Sequence, residues 1–169
     1  MTLGTLVLLR HAKSSYPDGV IDHDRPLNHR GRRDAAQAGM WLHEHAGEVF
    51  SSTPEALVST ATRAQQTWDI VSGIYDVPHV DEERLYDSAV STLIDVVRDK
   101  IEAGIDVIVV SHNPGLEQLA IYLTQGHVAE KPELALSHMP TASIVILRLK
   151  DAQWSDTSAE LVDFVVPRS

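Results

Sequence analysis

The chain contains no cysteine, which excludes disulfides, thiolate zinc sites and thiol nucleophiles together. It is also short of cations: 14 Lys and Arg against 24 Asp and Glu give the 169 residues a formal charge of -10. Nonspecific binding to DNA, RNA or an anionic membrane requires the opposite balance, so neither nucleic acid nor membrane is an expected partner. No apolar run approaches the length of a membrane span. The first residues lack the basic start, apolar stretch and small-residue cleavage site of a secretory signal, and a cytoplasmic protein is the expectation. Internal repeats, low-complexity tracts and linkers are missing too, so residues 1–169 read as one domain. The composition, 43% hydrophobic and 22% charged, is that of a soluble chain long enough to bury a sizeable core.

What the chain does have is a short aliphatic run that stops at a cation and an imidazole, Leu6-Val7-Leu8-Leu9-Arg10-His11-Ala12. A continuous apolar run marks a strand buried on both faces, as in a parallel sheet. A second such run, Ile105-Asp106-Val107-Ile108-Val109-Val110, ends at Ser111-His112-Asn113-Pro114-Gly115. Shorter or flanking strands are expected at 56–59, 77–80, 142–149 and 160–166, with Pro78 confining the second of these to a sheet edge. Helices are predicted between them. One covers about 29–45, with Asn28 as N-cap, Ala35, Ala38, Leu42 and His45 on one face, and Gly47 as its stop. Another runs to about 74, capped by Thr60 or Thr62. A third runs to about 103, capped by Ser88 or Ser91, with Leu93, Val96, Val97 and Ile101 as its buried stripe. A fourth spans 116–123, with Asn113 as cap and Pro114 at the tolerated first position. Residues 131–139 read as helix or loop. Alternating strands and helices predict an α/β three-layer sandwich, a mostly parallel central sheet with helices on both faces.

In such sheets ligands sit beyond the carboxyl ends of the strands. Three predicted strand ends carry suggestive residues: Arg10-His11, the turn from Ser59 to Arg63, and His112-Asn113. Neighbouring strands would bring them together as two guanidinium and two imidazole groups. Guanidinium groups match tetrahedral oxyanions by paired hydrogen bonds, and the helix starts after Ser59 and His112 add backbone donors. The expected product is an anion pocket in an acidic protein, with phosphate as its natural guest and an imidazole able to take up a phosphoryl group.

Four segments carry a specific resemblance. Leu9-Arg10-His11-Ala12 resembles the Arg-His-Gly signature of the histidine phosphatase superfamily, with Ala in place of Gly. Ser59-Thr60-Ala61-Thr62-Arg63-Ala64-Gln65-Gln66-Thr67 is similar to its Ser-Pro-x-x-Arg-Ala-x-Gln-Thr motif without the proline. Val110-Ser111-His112-Asn113-Pro114-Gly115 resembles its second-histidine motif. Asp24-Arg25-Pro26-Leu27-Asn28-His29-Arg30-Gly31 is similar to the Arg-Pro-Leu-x-x-x-Gly segment of the short phosphohistidine phosphatase branch. The four stand in family order across most of the chain.

The resemblance implies that His11 attacks phosphorus and becomes phosphohistidine. Arg10 and Arg63 would clamp the equatorial oxygens, and His112 would donate to the developing charge. No metal or cofactor is implied. His11 must then be neutral, with one ring nitrogen free and the other N–H held by an acceptor such as a backbone carbonyl. Arg25 has two roles open to it: a contact to phosphate or leaving group, or an ion pair with Asp22 or Asp24. The general acid is unassigned among Glu82, Glu83, Asp87 and Asp22. The likeness to the short branch implies phosphohistidine on a protein partner as the substrate, with a small phosphate ester as the alternative; a leaving imidazole needs less help than an alkoxide, so a missing acid would itself point the same way. Two other classes remain in view. One is a metal-dependent hydrolase built on His11, His112 and the Asp22–Asp24 cluster; the other is a catalytically silent phospho-binding module. The remaining histidines, His23 included, and Trp41, Trp68 and Trp154 carry ordinary packing or surface readings.

Overall fold

The computed structural model describes residues 2–125, 136 and 138–168. Among these, β1 (Gly4–Arg10), β2 (Glu55–Val58), β3 (His79–Asp81), β4 (Val107–Ser111), β5 (Ile144–Leu149) and β6 (Ala159–Val165) form one sheet in the order β3-β2-β4-β1-β5-β6. The first four strands in that order run parallel, and β5 and β6 complete the sheet antiparallel. Helices α1 (His29–Val49), α2 (Thr62–Ser72), α3 (Val90–Glu102) and α4 (Gly115–Thr124) cover its faces. The expected three-layer α/β architecture is the one observed.

The two long apolar runs behave as a doubly covered sheet demands. Leu6 and Leu8 of β1 pack with Val107, Val109 and the α3 and α4 side chains Leu93, Val97, Ile101, Leu116 and Leu119. Their alternates Val7 and Leu9 point the other way, with Ile108, Val110 and the α1 and α2 side chains Ala38, Leu42, Trp68 and Val71. Each of the four β1 side chains is fully buried, a gain of about 2 kcal/mol apiece by transfer. Polar residues begin where this ladder ends, because only there can water or a guest reach them.

Helix ends depart from expectation in ways that matter for the site. Asn28 does cap α1, accepting the Gly31 N–H at 2.8 Å, but Gly47 does not stop it. The helix continues to Val49, because Val49 and Phe50 reach the core beside α2. Neither Thr60 nor Thr62 caps α2; Ala61 stands at the N-cap, and its N–H is taken by the Ser59 hydroxyl at 3.3 Å. Neither Ser88 nor Ser91 caps α3, which starts from Ala89 without a side-chain cap, and Ser88 bonds instead to the Leu85 carbonyl. Asn113 is not the cap of α4. Its amide donates to Glu117 and to the Met139 carbonyl, while the Asn113-Pro114 peptide is cis. The segment 131–139 lies mostly outside the described residues, apart from Leu136, His138 and Met139.

Candidate active site

Register carries the three strand ends to one edge. β4 lies between β2 and β1, pairing Val110 with Val58 and Ser111 with Arg10. The Ser59 N–H continues the ladder to the Val110 carbonyl and the His11 N–H to the Ser111 carbonyl. His112 therefore emerges between His11 and Ser59. The His11 and His112 ring centroids are 5.1 Å apart, and Arg63, in the first turn of α2, sets its Nε 3.4 Å from His11 Nε2. Arg10, at the end of β1, is anchored through a 2.8 Å bond to the Met139 carbonyl, and its Nε is buried without a partner among the described residues.

Both imidazoles are nearly closed off from water, at 6% and 9% exposure. Burial, followed by the neighbouring His112, Arg63 and Arg10, pushes the His11 pKa down to about 3. Burial and then Arg63 push that of His112 down to about 4. Both rings are neutral at pH 7. His11 Nδ1 lies 2.8 Å from the Ala12 carbonyl; a carbonyl only accepts, so Nδ1 carries the proton and Nε2 keeps its lone pair. His112 Nε2 lies 2.8 Å from the Ser59 hydroxyl. That hydroxyl already accepts the Ala61 N–H, so its own proton is free to go to Nε2. The arrangement that satisfies both groups leaves the proton of His112 on Nδ1, which is buried with no partner among the described residues.

The sequence motifs also hold latches that supply geometry. Thr67 donates to the Arg63 carbonyl and accepts the Ala12 N–H, at 2.7 and 2.9 Å, tying α2 to the end of β1. Gln66 accepts the Leu27 N–H at 2.8 Å. Gly31 is required by close approach: a Cβ there would lie 2.0 Å from the Lys13 carbonyl oxygen. Ser14 bridges Leu27, so residues 16–25 leave the fold as a loop with a fixed base.

That loop turns Asp22 back onto the site. Arg63 donates to the Asp22 carbonyl oxygen at 2.7 Å and to its Oδ2 at 3.1 Å. Arg25 donates to Oδ1 at 3.1 Å, and the Tyr86 hydroxyl donates to Oδ2. The Tyr86 bond, then those of Arg25 and Arg63, hold this carboxyl well below the usual carboxylate range. Of the two roles open to Arg25, the ion pair with Asp22 is present. Arg25 is 9% exposed, bonds to Ser14 and the Ser15 carbonyl, and lies over the Tyr16 ring. It reaches the two histidines through Asp22 and Arg63. The remaining acid candidates stand apart. Glu82 is held ionised by Arg84, and Glu83 and Asp87 are exposed.

Tyr86 escaped the sequence reading, although its ring meets His112 edge-on at 5.5 Å and His23 at 4.8 Å. So did Ser59 as the partner of His112. His23, read as an ordinary surface residue, bonds to Thr60 at 3.0 Å. Among the described residues no group of three His, Asp or Glu is arranged to hold a metal ion, so the Asp22–Asp24 cluster does not join His11 and His112 as a metal site.

Known proteins resemble this chain in sequence and in fold. The family model described as the histidine phosphatase superfamily (branch 1) matches residues 6–93. An uncharacterized protein of Mycobacterium tuberculosis is 42% identical over 165 residues, 95% of this chain and 100% of that protein. Another from Mycobacterium leprae is 36% identical over 168 residues, with the same coverage. Among solved structures, the Nakamurella multipartitia protein provisionally assigned as the phosphohistidine phosphatase SixA is 28% identical. It superposes with a TM-score of 0.81 over 98% of this chain and 97% of that one. A protein histidine phosphatase SixA complexed with tungstate is 20% identical and shares the fold, with a TM-score of 0.79 over 96% and 97% of the two chains. With Arg10-His11, the turn from Ser59 to Arg63 and His112 meeting at the carboxyl ends of three interior parallel strands, the chain belongs to the histidine phosphatase superfamily and is a hydrolase of the phosphatase type.

Proposed function

We propose that this protein removes phosphoryl groups through a phosphohistidine formed on His11, and that its substrate is phosphohistidine displayed on another protein. What supports this most is the state of His11: a buried, neutral imidazole whose Nε2 lone pair faces the Arg63 guanidinium, with Arg10 beside it. In the proposed first step Nε2 attacks phosphorus in line, and the bond to the leaving nitrogen breaks. The departing imidazole keeps the electron pair and takes its proton from solvent. Arg10 and Arg63 hold the equatorial oxygens, and His112 donates its Nδ1–H to the oxygen that gains charge. In the second step water attacks phosphorus, inorganic phosphate leaves, and Nε2 recovers its lone pair. No metal takes part in either step.

The substrate class is favoured by the state of the carboxylates. Asp22 is ionised and bonded on both oxygens, and Glu82 is held by Arg84. Neither is suited to hand a proton to an alkoxide, whereas an imidazole leaves with less assistance. The likeness to the SixA protein, whose assigned substrate is phosphohistidine, extends over 97% of that chain. A cytoplasmic setting belongs to the same proposal; what the structure gives is that no described helix is long and apolar enough to cross a membrane.

The test is brief exposure to a labelled phosphodonor, followed by acid and base treatment of the protein. An acid-labile, base-stable label that is lost in His11→Ala is the expected result. Hydrolysis that persists in His11→Ala overturns the mechanism. Turnover of a phosphohistidine protein no faster than that of small phosphate esters overturns the substrate class.

A further inference from the structure

Asp22 is an unexpected neighbour for a phosphate pocket, since a carboxylate repels the anion that the two arginines attract. Its place explains what it can do. His11 is 6% exposed and the Arg63 side chain 7%, while the Asp22 side chain is 57% exposed. The three are joined in that order, His11 to Arg63 to Asp22. Asp22 therefore stands on the solvent side of Arg63, where the rest of a substrate must lie once its phosphoryl group reaches His11. Arg25 and Tyr86 fix the carboxylate there from two further directions. Asp22 shares its charge with Arg25 and Arg63, Arg84 is bound to Glu82, and Asp18 and Asp87 are exposed; among the described residues of these loops Lys13, at the base of the first, is the cation without an ion pair.

From this geometry we infer that Asp22 is a specificity-determining residue, selecting leaving groups that bring an N–H or a positive charge beside the phosphoryl group and rejecting those that bring a second anion. The inner surface of the site matches the phosphoryl oxygens, and the outer surface matches what they are attached to. An imidazole, an amine or a phosphorylated side chain with basic neighbours satisfies both surfaces. A small metabolite carrying a carboxylate next to its phosphate satisfies only the inner one. The inference rests on the phosphatase reading above and narrows its substrate.

The experiment varies the charge carried by one aryl phosphate scaffold, and the comparison with Asp22→Asn removes what the substituents do to the leaving phenol itself. Phenyl phosphate, 4-(aminomethyl)phenyl phosphate and 4-carboxyphenyl phosphate are compared as substrates of the wild-type protein, Asp22→Asn, Asp24→Asn and His11→Ala. The wild type is expected to favour the aminomethyl over the carboxy ester by about tenfold or more in kcat/KM at low salt, with the ratio shrinking as salt is raised. Asp22→Asn should bring the ratio to within about threefold of unity, whatever it does to the absolute rates. Asp24→Asn, which sits on the same loop but bonds to His23, should leave the ratio standing. If Asp22→Asn does not fold, Asp22→Ser replaces it, and the wild-type ratio decides on its own if neither folds. A flat wild-type ratio overturns the inference, as does a ratio that survives in Asp22→Asn or collapses equally in Asp24→Asn. A uniform loss of rate in Asp22→Asn with the ratio intact assigns Asp22 to propping Arg63 and likewise overturns it. Hydrolysis of the esters that is indifferent to His11→Ala overturns the phosphatase reading itself, a result separate from any of these.

Discussion

Two buried polar clusters stand at opposite edges of the same sheet, and they are built on opposite principles. At the amino edge of β1, Asp106 is 3% exposed, and its carboxylate is fully engaged by the chain. Oδ1 accepts the Thr5 N–H at 2.9 Å, and Oδ2 accepts the N–H and hydroxyl of Ser51 at 3.1 and 3.3 Å. At the carboxyl end, Arg10 Nε and His112 Nδ1 are equally buried and have no partner among the described residues. A buried polar group without a hydrogen bond costs about 1–3 kcal/mol. One edge spends its polar groups on joining β1, β4 and the end of α1. The other holds donors in reserve at a stability cost, as expected where a guest completes the bonding. Burial alone does not distinguish a site from a strut, and neither does one unspent donor, since Trp68 Nε1 in the core also has no partner among the described residues; what marks the carboxyl end is that two such groups flank one nucleophile.

That contrast can be broken most severely at the nucleophile. His11→Ala is expected to lower kcat by at least about 10,000-fold and to abolish the labelled adduct, as losing a nucleophile that works as a unit with its partners does elsewhere; single-turnover assays measure it. His112→Ala should cost about 100- to 1,000-fold, the usual effect of losing one donor to a developing charge, while binding of phosphate followed by calorimetry survives. Asp106→Ala should do the reverse. It strands two backbone N–H groups and lowers stability by about 2–4 kcal/mol, read as a drop in urea midpoint, while kcat per folded molecule stays within about twofold of wild type.

The smallest of these effects is a dependence on pH, and its sign follows from linkage. The His11 pKa is about 3 when folded against roughly 6.5 when unfolded, so below pH 6.5 the unfolded chain binds the proton more readily. Stability is then fully present above pH 6.5 and declines as the pH falls toward 3. The His11 share of the loss is about 2 kcal/mol at pH 5, and His112, at about 4, contributes a similar share. Urea titrations at pH 7.5 and 5 should therefore show a smaller pH penalty in His11→Ala than in the wild type. Equal penalties would mean that the ring is not held neutral by its surroundings.

Much of this was legible in the residues, for identifiable reasons. Leu6-Val7-Leu8-Leu9 reads as a doubly buried strand because both faces of β1 meet helices, and Arg10, His11 and His112 were visible because polarity returns where that strand and β4 end. Arg63 followed from its place at the start of a helix behind a strand. What was hidden depends on contacts across the chain. Asp22 meets Arg63 from 41 residues away and Tyr86 from 64, and no local pattern announces either. Asn28 caps α1 as expected, and the caps expected for the other three helices failed for a related reason. Ser59 lies one residue before the expected cap yet serves both Ala61 and His112, and Asn113 is drawn toward Met139 and Glu117. Long-range partners decided where those side chains point.

The backbone of the nucleophile has its own consequence. His11 extends the central ladder, its N–H bonded to Ser111 and its carbonyl accepting from Ala142. A reactive group carried on a peripheral loop can fray while the scaffold stays intact. Here the nucleophile continues an interior strand bonded on both sides, so amide exchange around residues 9–11 should be among the slowest in the chain. On warming, catalysis and compactness should vanish at the same temperature.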